Sequence, residues 1–238
     1  MAAQIALGDI TVDIVTKDIK NVHLSVYPAD GKVRISAPLR MDLDTIRVYA
    51  ISKLAWIKQQ QQKIRTQERE TLREYIDRES HYLWGKRYLL QVVEADASPA
   101  VELSHSRIRL RIRPDSSTGL RQAAMDAWYR EKLREAVPPV IAKWESIMAV
   151  KVERFFIQRM KTKWGSCSPI PHHIRLNTEL AKKPPKCLEY IIIHEMTHLI
   201  EPTHNSRFVA LMDSFLPNWR SCRGELNRLP VRHEEWAY

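Results

Sequence analysis

The chain has 238 residues, 44% of them hydrophobic and 8% aromatic, enough to bury a full core. Its formal net charge of +10 favours anionic partners, whether nucleic acid, anionic lipid, phosphorylated compounds or acidic protein segments, and does not choose among them. Asp9 and Asp13 sit where a signal peptide would be apolar, and no apolar run approaches the roughly 20 residues of a spanning helix, so we expect a cytoplasmic protein with no membrane association.

The first elements alternate like strands: Ile10 to Val15, Val22 to Pro28 and Lys32 to Pro38. The break at Ala29-Asp30-Gly31 predicts that the second and third pair antiparallel. From Asp42 the spacing becomes helical, with Ile46, Tyr49, Ile51, Leu54, Trp56 and Ile57 on the apolar face and a polar continuation from Lys58. Tyr82 to Ala95 and Val101 to Pro114 read as further strands, the second showing apolar residues inward and arginines outward. A helix follows from Thr118 to Met148, which Pro138-Pro139 should kink or split. Val152 to Met160 and His173 to Ala181 again read as strands. Pro184-Pro185 then opens a helix, where the missing N–H costs nothing. No internal repeat is apparent and no linker divides the chain. We expect one α+β domain over 1–238, with a β-rich part carrying one long helix at 1–116 and a helical catalytic part at 117–238.

The segment His194 to His204, HEMTHLIEPTH, carries the chemistry. On a helix His194 and His198 share one face, so their imidazoles can converge on one ion. Glu195 lies beside them, placed to take a proton from an attacking water and later to return it to a leaving amine. A catalytic zinc needs a third protein ligand and an open position. Pro202 should stop the helix near Glu201, and the turn then delivers His204 as that ligand, with Asn205 or Ser206 capping the next helix. Glu225, on a downstream helix, is the alternative third ligand. The spacing of His198 and His204 equals that of metzincins, but Glu201 stands where they have glycine, and no methionine turn follows. Cys167, Cys187 and Cys222 form no C-x-x-C pair, and a nucleophilic role for Cys167 is disfavoured where a metal site already supplies one.

Three further features bear on substrate. Arg159, Lys161 and Lys163 would share one face of a strand and could hold phosphates. Trp164 and Gly165 read as a strand or loop near the cleft, with Gly165 admitting close backbone approach. The strand HIRLNTEL could receive an extended peptide along its edge. His172 and His173 read as exposed turn residues, while His233 cannot be placed.

The runs Ile157 to Pro169 and Ile174 to Trp219 resemble the YgjP-like metallopeptidase family, related to SprT-like proteases. VRISAP, KLAWIK and YLWGKRY match its N-terminal half in kind and order. The resemblance implies a zincin-like core, zinc at His194, His198 and His204, and a catalytic Glu195 acting on a peptide or protein substrate. Another divalent metal such as Ni2+ could occupy such a site in a purified sample. It also leaves two rivals: a metal-dependent nucleoside triphosphate pyrophosphatase, and a DNA-associated protease of the SprT-like kind, for which nucleic acid is a possible partner.

Overall fold

The structure, a computed structural model, describes residues 2–27, 31–66, 72–160 and 163–229. They form two compact units, one within residues 1–69 and one within 70–232. The sequence division at 116/117 falls inside the second.

In the first unit, strands β1 (Ala2–Leu7), β2 (Ile10–Lys17), β3 (His23–Val26) and β4 (Val33–Pro38) form one sheet in the order β1-β2-β4-β3. β3 pairs antiparallel with β4, as expected, and β2 runs parallel to β4. Alternation sends Val12, Ile14, Val33 and Ile35 inward, each at most 1% exposed. Helices α1 (Leu43–Ser52) and α2 (Leu54–Thr66) cover that face with Ile46, Ala50 and Ile57. Asp42 caps α1 by accepting from the Thr45 amide at 2.7 Å. The expected apolar stripe is corrected here: Ile51 and Trp56 are 54% and 42% exposed. The buried positions Ile46, Ala50 and Ile57 keep spacings of four and seven across the C-cap at Lys53, a narrow face that Ile51 and Trp56 lie off.

The second unit opens with β5 (Ser80–Leu83), β6 (Lys86–Glu94), β7 (Ala100–Leu103) and β8 (Arg107–Ile112), in the order β5-β6-β8-β7. What the sequence offers as one run from Tyr82 is a hairpin. Trp84 and Gly85 both have positive φ, 51° and 78°, as a two-residue turn between twisted strands requires. Helix α3 (Thr118–Met148) follows and buries Met125, Leu133, Val137, Ile141 and Trp144. It is one 31-residue helix, so Pro138-Pro139 does not split it. Both prolines lie on its exposed face, as do Arg134 and Glu135, whose carbonyls lose their donors and face water.

The two sheets are built alike. Each is antiparallel hairpin, parallel crossing, antiparallel edge, then helix. The first connection is residues 8–9 in one and 84–85 in the other; the second is 18–22 and 95–99. A repeat of topology is therefore present that residue identity does not reveal.

The remaining strands, β9 (Arg154–Gln158), β10 (Gly165–Ser168) and β11 (His173–Asn177), form a sheet in the order β10-β11-β9. A 3-10 turn, Thr178–Lys182, leads into α4 (Pro185–Thr197), then α5 (Ser206–Phe215) and α6 (Trp219–Arg228). Ile191, Ile192 and Ile193 of α4 enter the same core as α3 and β8. The architecture is α+β, and among the described residues no helix is long and apolar enough to cross a membrane.

Candidate metal centre

Pro184 and Pro185 start α4, with Pro185 in the first turn. The helix ends at Thr197, earlier than the Pro202 stop predicts. The ladder tightens there: the Leu199 and Ile200 amides donate to Met196 and Thr197, three residues back, at 3.0 Å each. His198 is thus the C-cap, yet its φ of −67° and ψ of −15° keep it on the helical face of His194.

The turn to His204 is held by its own side chains. Glu201 Oε1 accepts from the Thr203 amide at 3.2 Å and hydroxyl at 2.9 Å. The Asn205 side chain donates to Thr203 Oγ1 and accepts from the Phe208 amide, capping α5. His204 Nε2 then stands 3.0 Å from His194 Nε2. One ring nitrogen from each of His194, His198 and His204 lies within 4.8 Å of the others. Phe208 underlies all three rings at 4.7 to 5.0 Å between centroids. Sequence reading did not single it out, although it lies one turn beyond His204 on the apolar face of α5.

The donor set fits a divalent metal. Burial holds the His194 imidazole down to about 3, with His198, His204 and Arg223 adding to the effect, and burial also lowers His198 and His204. All three rings are neutral at pH 7 and keep a lone pair. His198 Nδ1 sits 3.1 Å from the Glu201 carbonyl; donating there leaves Nε2 free for an ion. Tetrahedral bonds of about 2.0–2.1 Å place two nitrogens roughly 3.3 Å apart, close to the spacing of His194 and His204.

Glu195 is 4% exposed, and burial pushes its carboxyl up to about 8, against the lowering effect of Lys163. It lies against the backbone of β10, where a Cβ on Gly165 would stand 2.6 Å from its Oε1. The cleft beside it measures about 560 Å³ and is lined by Lys163, Trp164, Gly165, Cys167, Tyr190 and Arg223 among others. Burial, then Glu195, pushes the Cys167 thiol up to about 12, so it stays protonated, in line with its disfavoured role as nucleophile.

Of the proposed substrate-binding residues, Lys163, Trp164 and Gly165 line this cleft. Lys161 lies outside the described residues. Arg159 does not line the cleft, and neither it nor Lys163 lies on a strand, since β9 ends at Gln158 and β10 begins at Gly165. The edge-pairing expectation is also corrected: β11 lies between β9 and β10 and has both edges taken, so the edge strand on the cleft is β10. Glu225 pairs with Lys186 of α4 and is not part of the histidine group. His172 and His173 are half-buried rather than exposed.

Asn177 was missed. Its side chain donates to the Met160 and Lys163 carbonyls at 2.8 Å each, and its amide donates to the Trp164 carbonyl at 2.9 Å. It thereby fastens the segment carrying Lys163 and Trp164 to the end of β11. The only signal along the chain was an asparagine closing an alternating strand.

An α+β chain that converges three neutral imidazoles beside a buried glutamate defines a candidate metal-site hydrolase. The chain belongs to the YgjP-like family, whose metallopeptidase domain matches residues 20–229, and membership implies a divalent metal. Among solved structures it is similar to the metallopeptidase zymogen of Pyrococcus abyssi abylysin. That similarity is 20% identity over 39% of this chain and 97% of that one, with a TM-score of 0.35, too low to bear on the site. No curated protein sequence matches the chain significantly.

Proposed function

We propose that the protein is a zinc-dependent metallopeptidase in which His194, His198 and His204 hold the ion and Glu195 is the catalytic base. The observation that carries this reading is the convergence of the three imidazoles, two of them 3.0 Å apart, beside Glu195 of α4, which lies against the edge strand β10. A zinc ion held there supplies Lewis acidity, polarising a carbonyl and lowering the pKa of a water towards about 7. The charge of a divalent ion beside Glu195 would oppose the effect of burial and favour its carboxylate, which takes a proton from the attacking water and passes it to the leaving nitrogen. Among the described residues β10 has one edge unpaired, which offers main-chain hydrogen bonds to an extended peptide and so binds many sequences without demanding one. Gly165 gives Glu195 room next to that strand.

A second reading, hydrolysis of a nucleoside triphosphate, draws support from Lys163 and Arg223 in the cleft walls. Three assays separate the two. Zinc-loaded protein is incubated with unfolded casein and with UTP, each beside Glu195→Gln, and metal content is measured for both proteins. The peptidase reading expects casein cleavage, lost by 10²-fold or more in Glu195→Gln with zinc retained. Turnover that survives the substitution removes Glu195 from its role, and phosphate or pyrophosphate release without peptide cleavage replaces the peptidase with the second reading.

A further inference from the structure

Two cations face the cleft and form no salt bridge among the described residues. Lys163 precedes β10 on one wall, and its charge reaches Glu195 and His198. Arg223 projects from α6 on the other, and its charge reaches His194, His204 and Tyr190. Other cations nearby are paired: Arg220 of α6 with Asp213, and Lys186 of α4 with Glu225 of α6. Among the described lining residues Glu195 is the one carboxylate. Both cations are also held in place. Asn177 binds the carbonyl of Lys163, while α6 is fixed to α4 by the Lys186 and Glu225 pair and by Tyr190 stacked on Trp219 at 6.4 Å.

Resting on the peptidase reading, we propose that Lys163 and Arg223 select peptides bearing acidic side chains beside the scissile bond. A peptide paired with β10 presents successive side chains to opposite sides, so carboxylates flanking the bond each meet one cation. Arg223 can bind a carboxylate bidentately, and Lys163 serves as a compact point charge. A triphosphate suits the cleft less well. The cleft's described lining residues include no glycine-rich phosphate loop. The same carboxylate chemistry could come from a free chain end, which amidated substrates distinguish.

The test uses the full zinc-loaded chain and quenched peptides identical except for Glu, Gln or Lys on both sides of one bond, each amidated or free at its C-terminus. The acidic peptide should show a kcat/KM about tenfold or more above the Gln peptide, mostly through KM and shrinking with salt. Arg223→Gln should remove most of this preference, Arg223→Lys keep part of it, and Arg223→Glu favour the lysine peptide, with zinc content unchanged throughout. Peptide binding to zinc-loaded Glu195→Gln, read by calorimetry without turnover, should show the same order. Cleavage without charge preference overturns this inference and leaves the peptidase standing. A preference that disappears on amidation assigns the carboxylate to the chain end and overturns the side-chain form. Failure to cleave any peptide, with UTP hydrolysis lost in Arg223→Gln, overturns both readings.

Discussion

Single atoms decide the site. Gly165 has an α-carbon close enough to Glu195 that a methyl group there would stand 2.6 Å from Oε1, 2.8 Å from Cγ and 2.9 Å from Ile191 Cγ2. Gly165→Ala must push the carboxylate aside while leaving the three histidines alone. A displacement of about 1 Å at a catalytic group costs on the order of 10²-fold in rate, so activity should fall by that factor with metal content unchanged, while overpacking against Ile191 lowers the thermal midpoint modestly. Measured zinc stoichiometry and kcat would show otherwise if Gly165 only shapes the strand. The convergence of His194 and His198 was legible from spacing, because four residues on a helix make about one turn, and that of His204 from the turn expected at Pro202. Phe208, Asn177 and Arg223 were not, since their importance rests on what faces them across space.

At the scale of elements, much of the fold follows from local rules: strand alternation, the Asp42 and Asn205 caps, the proline start of α4. The departures have local causes too, such as hydrogen bonds tightening to three residues at the end of α4. The strand β5 carries a consequence for stability. His81 is 2% exposed, and burial, then Arg73 and Lys182, holds its imidazole down to about 3. Glu79 Oε1 stands 3.3 Å away but forms no hydrogen bond to Nε2, accepting instead from the Arg73 guanidinium, so burial wins. The unfolded chain binds a proton at His81 below about 6.5, whereas the folded chain does so only near 3. Stability is therefore complete above the unfolded value and falls as pH drops from about 6.5 towards 3, by up to about 1.4 kcal/mol per unit. Urea unfolding of the protein and of His81→Gln between pH 7 and 4 should show a shallower slope in the variant; equal slopes would remove His81 as the source.

For the whole molecule, the apolar residues fall into two separate cores, one per unit. Ile35 is fully buried in the first and distant in sequence from every metal-site residue. Ile35→Ala should cost about 2–5 kcal/mol by leaving a cavity, and the loss should be confined to the first unit. Zinc affinity measured by competition should stay unchanged at temperatures where both proteins are folded. A parallel loss of affinity would show that the cores do not act independently. The repeated sheet topology could not be read from residues, because alternation constrains only which side chains point inward, and many sequences satisfy it. What spacing along the chain settles here is local: helix faces, caps, turns and the pairing of His194 with His198. Three-dimensional folding alone brings β10 against Glu195, places Lys163 and Arg223 on opposite walls, and leaves β10 rather than β11 at the edge. The reason is physical: periodicity acts over a few residues, whereas burial, strand order and the meeting of charges depend on segments that the chain separates and the core brings together.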